Sequence, residues 1–127
     1  MNKKEYFERQ KNRYQKGELA WCAKAAREYR SENTDQIMRI ADEAVRLEFI
    51  FDLPWDMERT YEKETFTYPI NWTYMPTDDP EFIYQMNRHR YFVCLGQAYA
   101  MTGEEKYAKA FVDMITDWIT CVPLTEE

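Results

Sequence analysis

The sequence predicts an all-α fold of antiparallel helix pairs, on three observations. Chain breakers are scarce, with 3 Gly and 5 Pro in 127 residues, and scarcity of breakers favours long helices. Apolar residues recur at three- and four-residue spacing along most of the chain. Helix starts and one tight helix–helix turn are written in capping residues. Strand patterns are nearly absent.

Residues 2–15 are charged, with Tyr6, Phe7, Gln10 and Tyr14 making a narrow apolar stripe on a first helix. Lys16-Gly17 breaks it. Leu19 to Tyr29 is alanine-rich and reads as a second helix, since alanine is the best helix former. Asn33-Thr34-Asp35-Gln36 supplies a cap and an acidic first turn. Ile37, Ile40, Ala41, Ala44, Val45 and Leu47 then carry a third helix to an expected end at Glu48–Ile50. Asp79-Pro80-Glu81 opens a fourth, with Asp79 as cap and Pro80 at the first helical position. That helix is expected to run unbroken to Met101, with apolar residues nearly all round, which predicts burial on more than one side. Thr102-Gly103-Glu104-Glu105 is a turn in which Gly103 takes a left-handed, helix-ending conformation. The fifth helix stops before Pro123 and is expected to bury Tyr107, Ala108, Phe111, Val112, Ile115, Trp118 and Ile119 on one face. Helices 19–30 with 34–50, and 80–101 with 104–121, read as successive pairs.

Residues 51–79 break the pattern. They hold three of the five prolines and no helical period, and Thr65–Tyr68 suits a short extended piece. Long irregular stretches inside a domain are uncommon and usually functional or linkers. Linkers are not this rich in Trp, Tyr and Phe, so 51–79 reads as an ordered aromatic loop of a single helical domain spanning 1–127.

Composition excludes several function classes. The net charge is −6 with no basic run, which argues against generic binding to nucleic acid or anionic membranes. The apolar runs are too short to span a bilayer. The N-terminus shows no apolar stretch of signal-peptide type, which leaves localisation undetermined. Cys22, Cys94 and Cys121 stand singly and read as reduced, buried thiols. One histidine, His89, makes a protein-only metal site improbable. Ser31 is the lone serine, so a serine nucleophile is improbable too. No GxSxG, HExxH, CxxC or glycine-rich phosphate loop is present.

Two constellations bear chemistry. Asn87, Arg88 and His89, on the same helix as Tyr84, bring amide, guanidinium and imidazole together in an otherwise apolar helix. An arginine there supplies a planar fork for carboxylate or sulfate, and asparagine an amide donor. Equally, such groups pair with neighbouring carboxylates and backbone, as buried polar groups usually do. In the aromatic loop, Trp55, Trp72 and Tyr74, beside Asp56 and Asn71, either stack on a flat ligand or plug the edge of the helical layer.

The order and spacing of Ile70-Asn71-Trp72, Asp79-Pro80-Glu81-Phe82, Met86-Asn87-Arg88-His89, Ala98-Tyr99, Thr102-Gly103-Glu104-Glu105-Lys106-Tyr107-Ala108 and Trp118-Ile119 resemble the N-terminal domain of the heparinase II/III family of polysaccharide lyases. Met86 and Glu104 depart mildly from the family's Leu and Asp. The resemblance covers about 68–121. It implies a partial (α/α) toroid, followed in a parent protein by a β-sandwich across a cleft. It implies β-elimination on uronate glycans, with catalytic groups beyond Glu127 and none in this chain, and no cofactor or metal. The substrate-binding set implied here is Asn87, Arg88, His89, Trp72, Trp55, Asn71 and Tyr84. The implied partners are an acidic polysaccharide, the remaining toroid and the β-sandwich, with self-association through the open end. The alternative is a freestanding helical protein-interaction module; a small complete enzyme using His89 and a tyrosine is weaker still.

Overall fold

The computed structural model describes residues 2–15, 24, 28, 32–54, 56, 59–60 and 62–122. In chain order the elements are α1 (Lys3–Gln15), α2 (Glu32–Val45), β1 (Glu48–Phe49), β2 (Glu64–Thr65), α3 (Glu81–Asn87), α4 (Arg90–Thr102) and α5 (Glu105–Cys121). The fold class is all-α with one minor two-stranded sheet. The second predicted helix lies largely outside the described residues; its Lys24 and Glu28 are helical and ion-paired at 3.6 Å.

Helix α1 starts on a reciprocal capping box. The Glu5 N–H donates to Asn2 Oδ1 at 2.9 Å, and the Asn2 N–H donates to Glu5 Oε2 at 3.0 Å. Tyr6 and Phe7 of its apolar stripe are exposed and meet edge to face.

Helix α4 packs on both α2 and α5, and those two also touch. Between them lie Ala41, Ala44, Leu95, Ala98, Tyr107 and Met114, all essentially inaccessible. Small residues on α2 and α4 let the axes approach, and the larger side chains of α5 fill the remaining space. Tyr107 donates its hydroxyl to Asp42 at 2.9 Å, and Lys106 pairs with the same carboxylate at 3.2 Å, tying α5 to α2.

Expectations for three of the predicted helices are corrected. Helix α2 ends at Val45 rather than at 48–50, because Leu47 turns left-handed at φ 56°. The chain then extends as β1, antiparallel to β2, with Glu48 opposite Thr65 and Phe49 opposite Glu64. That turn puts the Phe49 ring against Phe66 and Tyr91, at 5.9 and 4.9 Å between centroids. Glu48 meanwhile pairs with Arg46 and Lys63.

The fourth helix is broken, not continuous. Arg88 caps α3, and His89 stands at φ 53° before α4 begins. Its start is also shifted by one residue: Pro80 is the cap, while the Asp79 carboxylate accepts the Glu81 N–H at 2.8 Å. Nor is α4 buried all round. Tyr91, Leu95, Ala98 and Met101 face inward, and Val93 and Tyr99 are exposed. The Gly103 expectation holds: its φ is 72° and its N–H donates to the Tyr99 carbonyl.

Helix α5 buries a different stripe from the one expected. Tyr107, Ala110 and Met114 are buried and Trp118 is half-buried, while Phe111, Val112 and Ile119 face outward. Cys121 is exposed and Cys94 half-buried, which corrects the reading of both as buried thiols; Cys22 lies outside the described residues.

Candidate functional site

The α3–α4 break and the loop segment 70–74 form one hydrogen-bonded unit. Asn87 donates through Nδ2 to the Trp72 carbonyl at 3.0 Å and to the Ile83 carbonyl at 2.8 Å. Its Oδ1 accepts the Trp118 indole N–H at 2.9 Å. From α5, Asp117 Oδ2 accepts the Ile70 N–H at 3.1 Å and the Trp72 indole N–H at 2.8 Å. Loop, α3 and α5 are therefore joined by four side chains whose polar atoms face one another. Ile70 and Trp72 are buried beneath this network. Removing Asn87 would orphan the Trp72 carbonyl and the Trp118 indole, at roughly 1–3 kcal/mol for each buried group left unpaired.

His89 sits in an aromatic box. Its ring stacks on Phe92 at 4.7 Å with 6° between planes, and Trp118, Trp72 and Tyr91 meet it edge-on at 5.0, 5.8 and 6.0 Å. Histidine is among the residues that tolerate positive φ, and the ring contacts offset the backbone cost. Its Nε2 is buried without a hydrogen-bond partner, and burial lowers its pKa. Desolvation thus favours the neutral imidazole, which is half-buried with Nε2 on its covered side. Tyrosines are no better placed as bases. Burial, with the charges of Asp113 and Asp117, pushes the Tyr68 hydroxyl up to about 12. Burial also raises Tyr91, whose hydroxyl donates to the Met86 carbonyl at 3.0 Å.

The exposed part of the site is built on the same frame. Tyr84 and Arg88, one helical turn apart, are both exposed. The guanidinium of Arg88 pairs with Glu81 of its own helix at 2.6 Å. Asp56 of the aromatic loop faces Arg90 rather than Arg88, at 3.7 Å. Asn71 is exposed and its Oδ1 accepts from the Thr73 backbone and hydroxyl. Trp55 lies outside the described residues. Among the described residues no group of three or more His, Cys, Asp or Glu side chains is placed to hold a metal ion.

The sequence profile described as Heparinase II/III N-terminus matches residues 3–127. The chain belongs to this family. It is 33% identical over 88 residues to a heparin-sulfate lyase of Bacteroides stercoris, covering 69% of this chain and 12% of that one. It is 27% identical over 132 residues to a heparin-sulfate lyase of Bacteroides thetaiotaomicron, covering 89% and 19%. Among solved structures it resembles a heparinase III with methylated lysines, at TM-score 0.60 and 32% identity over 72% of this chain and 14% of that one. The chain thus spans less than a fifth of the length of these relatives.

In this heparinase II/III N-terminal chain, sequence reasoning missed Asp117. A signal was present: Asp117 falls three residues after Met114 and seven after Ala110, in helical register with the buried stripe of α5. A carboxylate at such a position needs donors, and the loop's indole and amide are those donors.

The lowered pKa of His89 has a pH consequence. The unfolded imidazole binds a proton near its ordinary value of 6.5, and the folded one only at lower pH. The unfolded state therefore gains protons first, and stability is lost as pH falls below 6.5 toward the folded value. Thermal melts between about pH 7.5 and 5.5 should show this loss in the native chain. His89→Asn keeps a residue suited to positive φ and should melt lower throughout, with the slope over that window reduced. An unchanged slope would mean that His89 titrates as freely as in the unfolded chain.

Proposed function

We propose that this chain is the cleft-lining N-terminal segment of a polysaccharide lyase acting on uronate-containing glycans by β-elimination, with the catalytic groups supplied by the rest of such a protein. Family membership and lyase relatives support the class. The observation that carries the local role is the division of labour around Asn87. Asn87, His89 and Trp72 are consumed in holding the loop to the helices, and they present Arg88, Tyr84 and Asn71 outward. A guanidinium and a phenol one turn apart on a fixed helix suit a carboxylate or sulfate beside a sugar ring. Arg88 is 40% exposed in its side chain, so its pair with Glu81 leaves donors for a ligand.

Arg88→Ala separates contact from support. With Arg88 40% and Glu81 14% exposed, the pair is half-exposed and its loss should cost folding about 1 kcal/mol. Loss of a charged hydrogen-bonding partner should weaken binding of a heparan sulfate oligosaccharide by ~1.5–3 kcal/mol. Calorimetric titration alongside a melting curve reads both quantities. An early-melting variant that binds normally at low temperature would sink the contact role.

The chain alone should show no lyase turnover, because its one imidazole has a buried Nε2 and burial raises Tyr68 and Tyr91, so those hydroxyls hold their protons. Appearance of unsaturated uronate absorbance on heparan sulfate or alginate, abolished by His89→Ala, would overturn this.

The outward strip of α5, Phe111, Val112 and Ile119, fits cover by a further helix pair of a toroid. In the isolated chain we expect the same strip to meet a second copy. Sedimentation at high concentration should show a dimer that Val112→Lys dissolves; a strictly monomeric profile would count against it.

A further inference from the structure

Among the described residues, Gln85 is the buried side chain with both a donor and an acceptor unpartnered. Its side chain is 2% exposed, and neither Oε1 nor Nε2 has a hydrogen-bond partner. A buried amide with both ends unpaired is destabilising, and evolution would have little trouble replacing it by an apolar residue of similar size. Gln85 lines a cavity of about 410 Å³ bounded by α2, the segment 48–53 and α4. That size lies within the roughly 300–1,000 Å³ range of small-molecule sites. Two residues before Asn87, it projects from another side of α3, ~200° round the helix, so the cavity is separate from the loop lock.

The lining narrows the ligand class. The amide offers an NH2 donor group beside a carbonyl acceptor in a single plane. A purely apolar ligand leaves both unmet. A simple anion leaves Oε1 unmet, and a cation leaves Nε2 unmet. Arg90 and Asp56 repeat the pattern in the same cavity, again a donor beside an acceptor, 3.7 Å apart. Phe49, Phe51 and Tyr91 supply aromatic wall between these polar pairs. A ligand matching this has several adjacent hydroxyls, each both donor and acceptor, on a ring with apolar C–H faces.

We propose that this cavity is a pyranose-binding subsite, in which the Gln85 amide takes two adjacent hydroxyls of one sugar unit and the Arg90–Asp56 pair takes others. The inference rests on the glycan-binding reading above and adds a second contact region to it, distinct from Arg88. The buried orphan amide is then a site kept for its ligand at the expense of stability in the free protein.

Cys94 lines the same cavity and Cys121 is exposed on α5, which provides a reporter and an internal control. The probe is an unsulfated tetrasaccharide of alternating glucuronate and N-acetylglucosamine. Alkylation by N-ethylmaleimide is followed by peptide mass mapping with and without it. Saturating probe should slow Cys94 modification at least fivefold and leave Cys121 unchanged. Gln85→Leu, and Gln85→Met as the closer match in shape, should abolish that protection and melt several degrees higher than the native chain. Unaltered Cys94 reactivity, equal protection in both variants, or lower melting of both would overturn the proposal. The two readings fail separately. If Arg88→Ala loses tetrasaccharide binding and Cys94 is never protected, the cavity falls and the Arg88 site stands. If Cys94 is protected and Arg88→Ala binds normally, the Arg88 role falls and the cavity stands.

Discussion

The Asp117 carboxylate is the anchor on which the non-helical part of the molecule depends. It takes the Ile70 amide and the Trp72 indole together, from a helix 45 and more residues away in sequence. A segment rich in Pro, Thr and aromatic side chains has no helical ladder in which to satisfy its backbone. Hydrogen bonds from two helices replace that ladder. Asn87 completes the arrangement because an amide side chain can donate twice and accept once in three directions. Neither an aspartate nor a leucine of similar size could do this.

The break at His89 follows from the same anchoring. An unbroken helix through 81–102 would carry the imidazole round the helix in ordinary register. With His89 left-handed, its ring lies flat on Phe92 while Trp72 and Trp118 meet its edge. The indoles held by Asp117 and Asn87 are the same two that enclose His89. Hydrogen bonding and ring packing thus stabilise one geometry jointly, and a change in either is felt by the other. The consequence at the surface is that Arg88, the last residue before the break, stays exposed beside Tyr84.

Among the described residues the buried charges are paired. Glu43 is 8% exposed and meets Arg39 and Lys63 at 3.3 and 3.2 Å. Asp56 accepts the Leu53 N–H at 2.8 Å and faces Arg90. Against this background of satisfied groups, the unpartnered amide of Gln85 stands apart, and it lies where the fold leaves space.

Much of the helical fold was legible in local chemistry. The helix start near 79–81, to within one residue, the Gly103 turn, and the length of α5 each depend on residues within a few positions of one another, so the sequence by itself determined them. The order and spacing of Asn87-Arg88-His89 within its flanking motifs carried the family resemblance in the same way. What only the tertiary structure decided depends on contacts distant in sequence. Leu47 and His89 adopt positive φ where distant parts of the chain meet: the turn at Leu47 brings Phe49 to Tyr91, and the His89 ring meets Trp118. The face of α5 that is buried was ambiguous, because apolar residues occupy two adjoining stripes and α2 and α4 cover only one. Asn87 reads in sequence as either ligand contact or support. Only the tertiary structure shows its amide engaged by the Trp72 carbonyl and the Trp118 indole, 15 residues before it and 31 after.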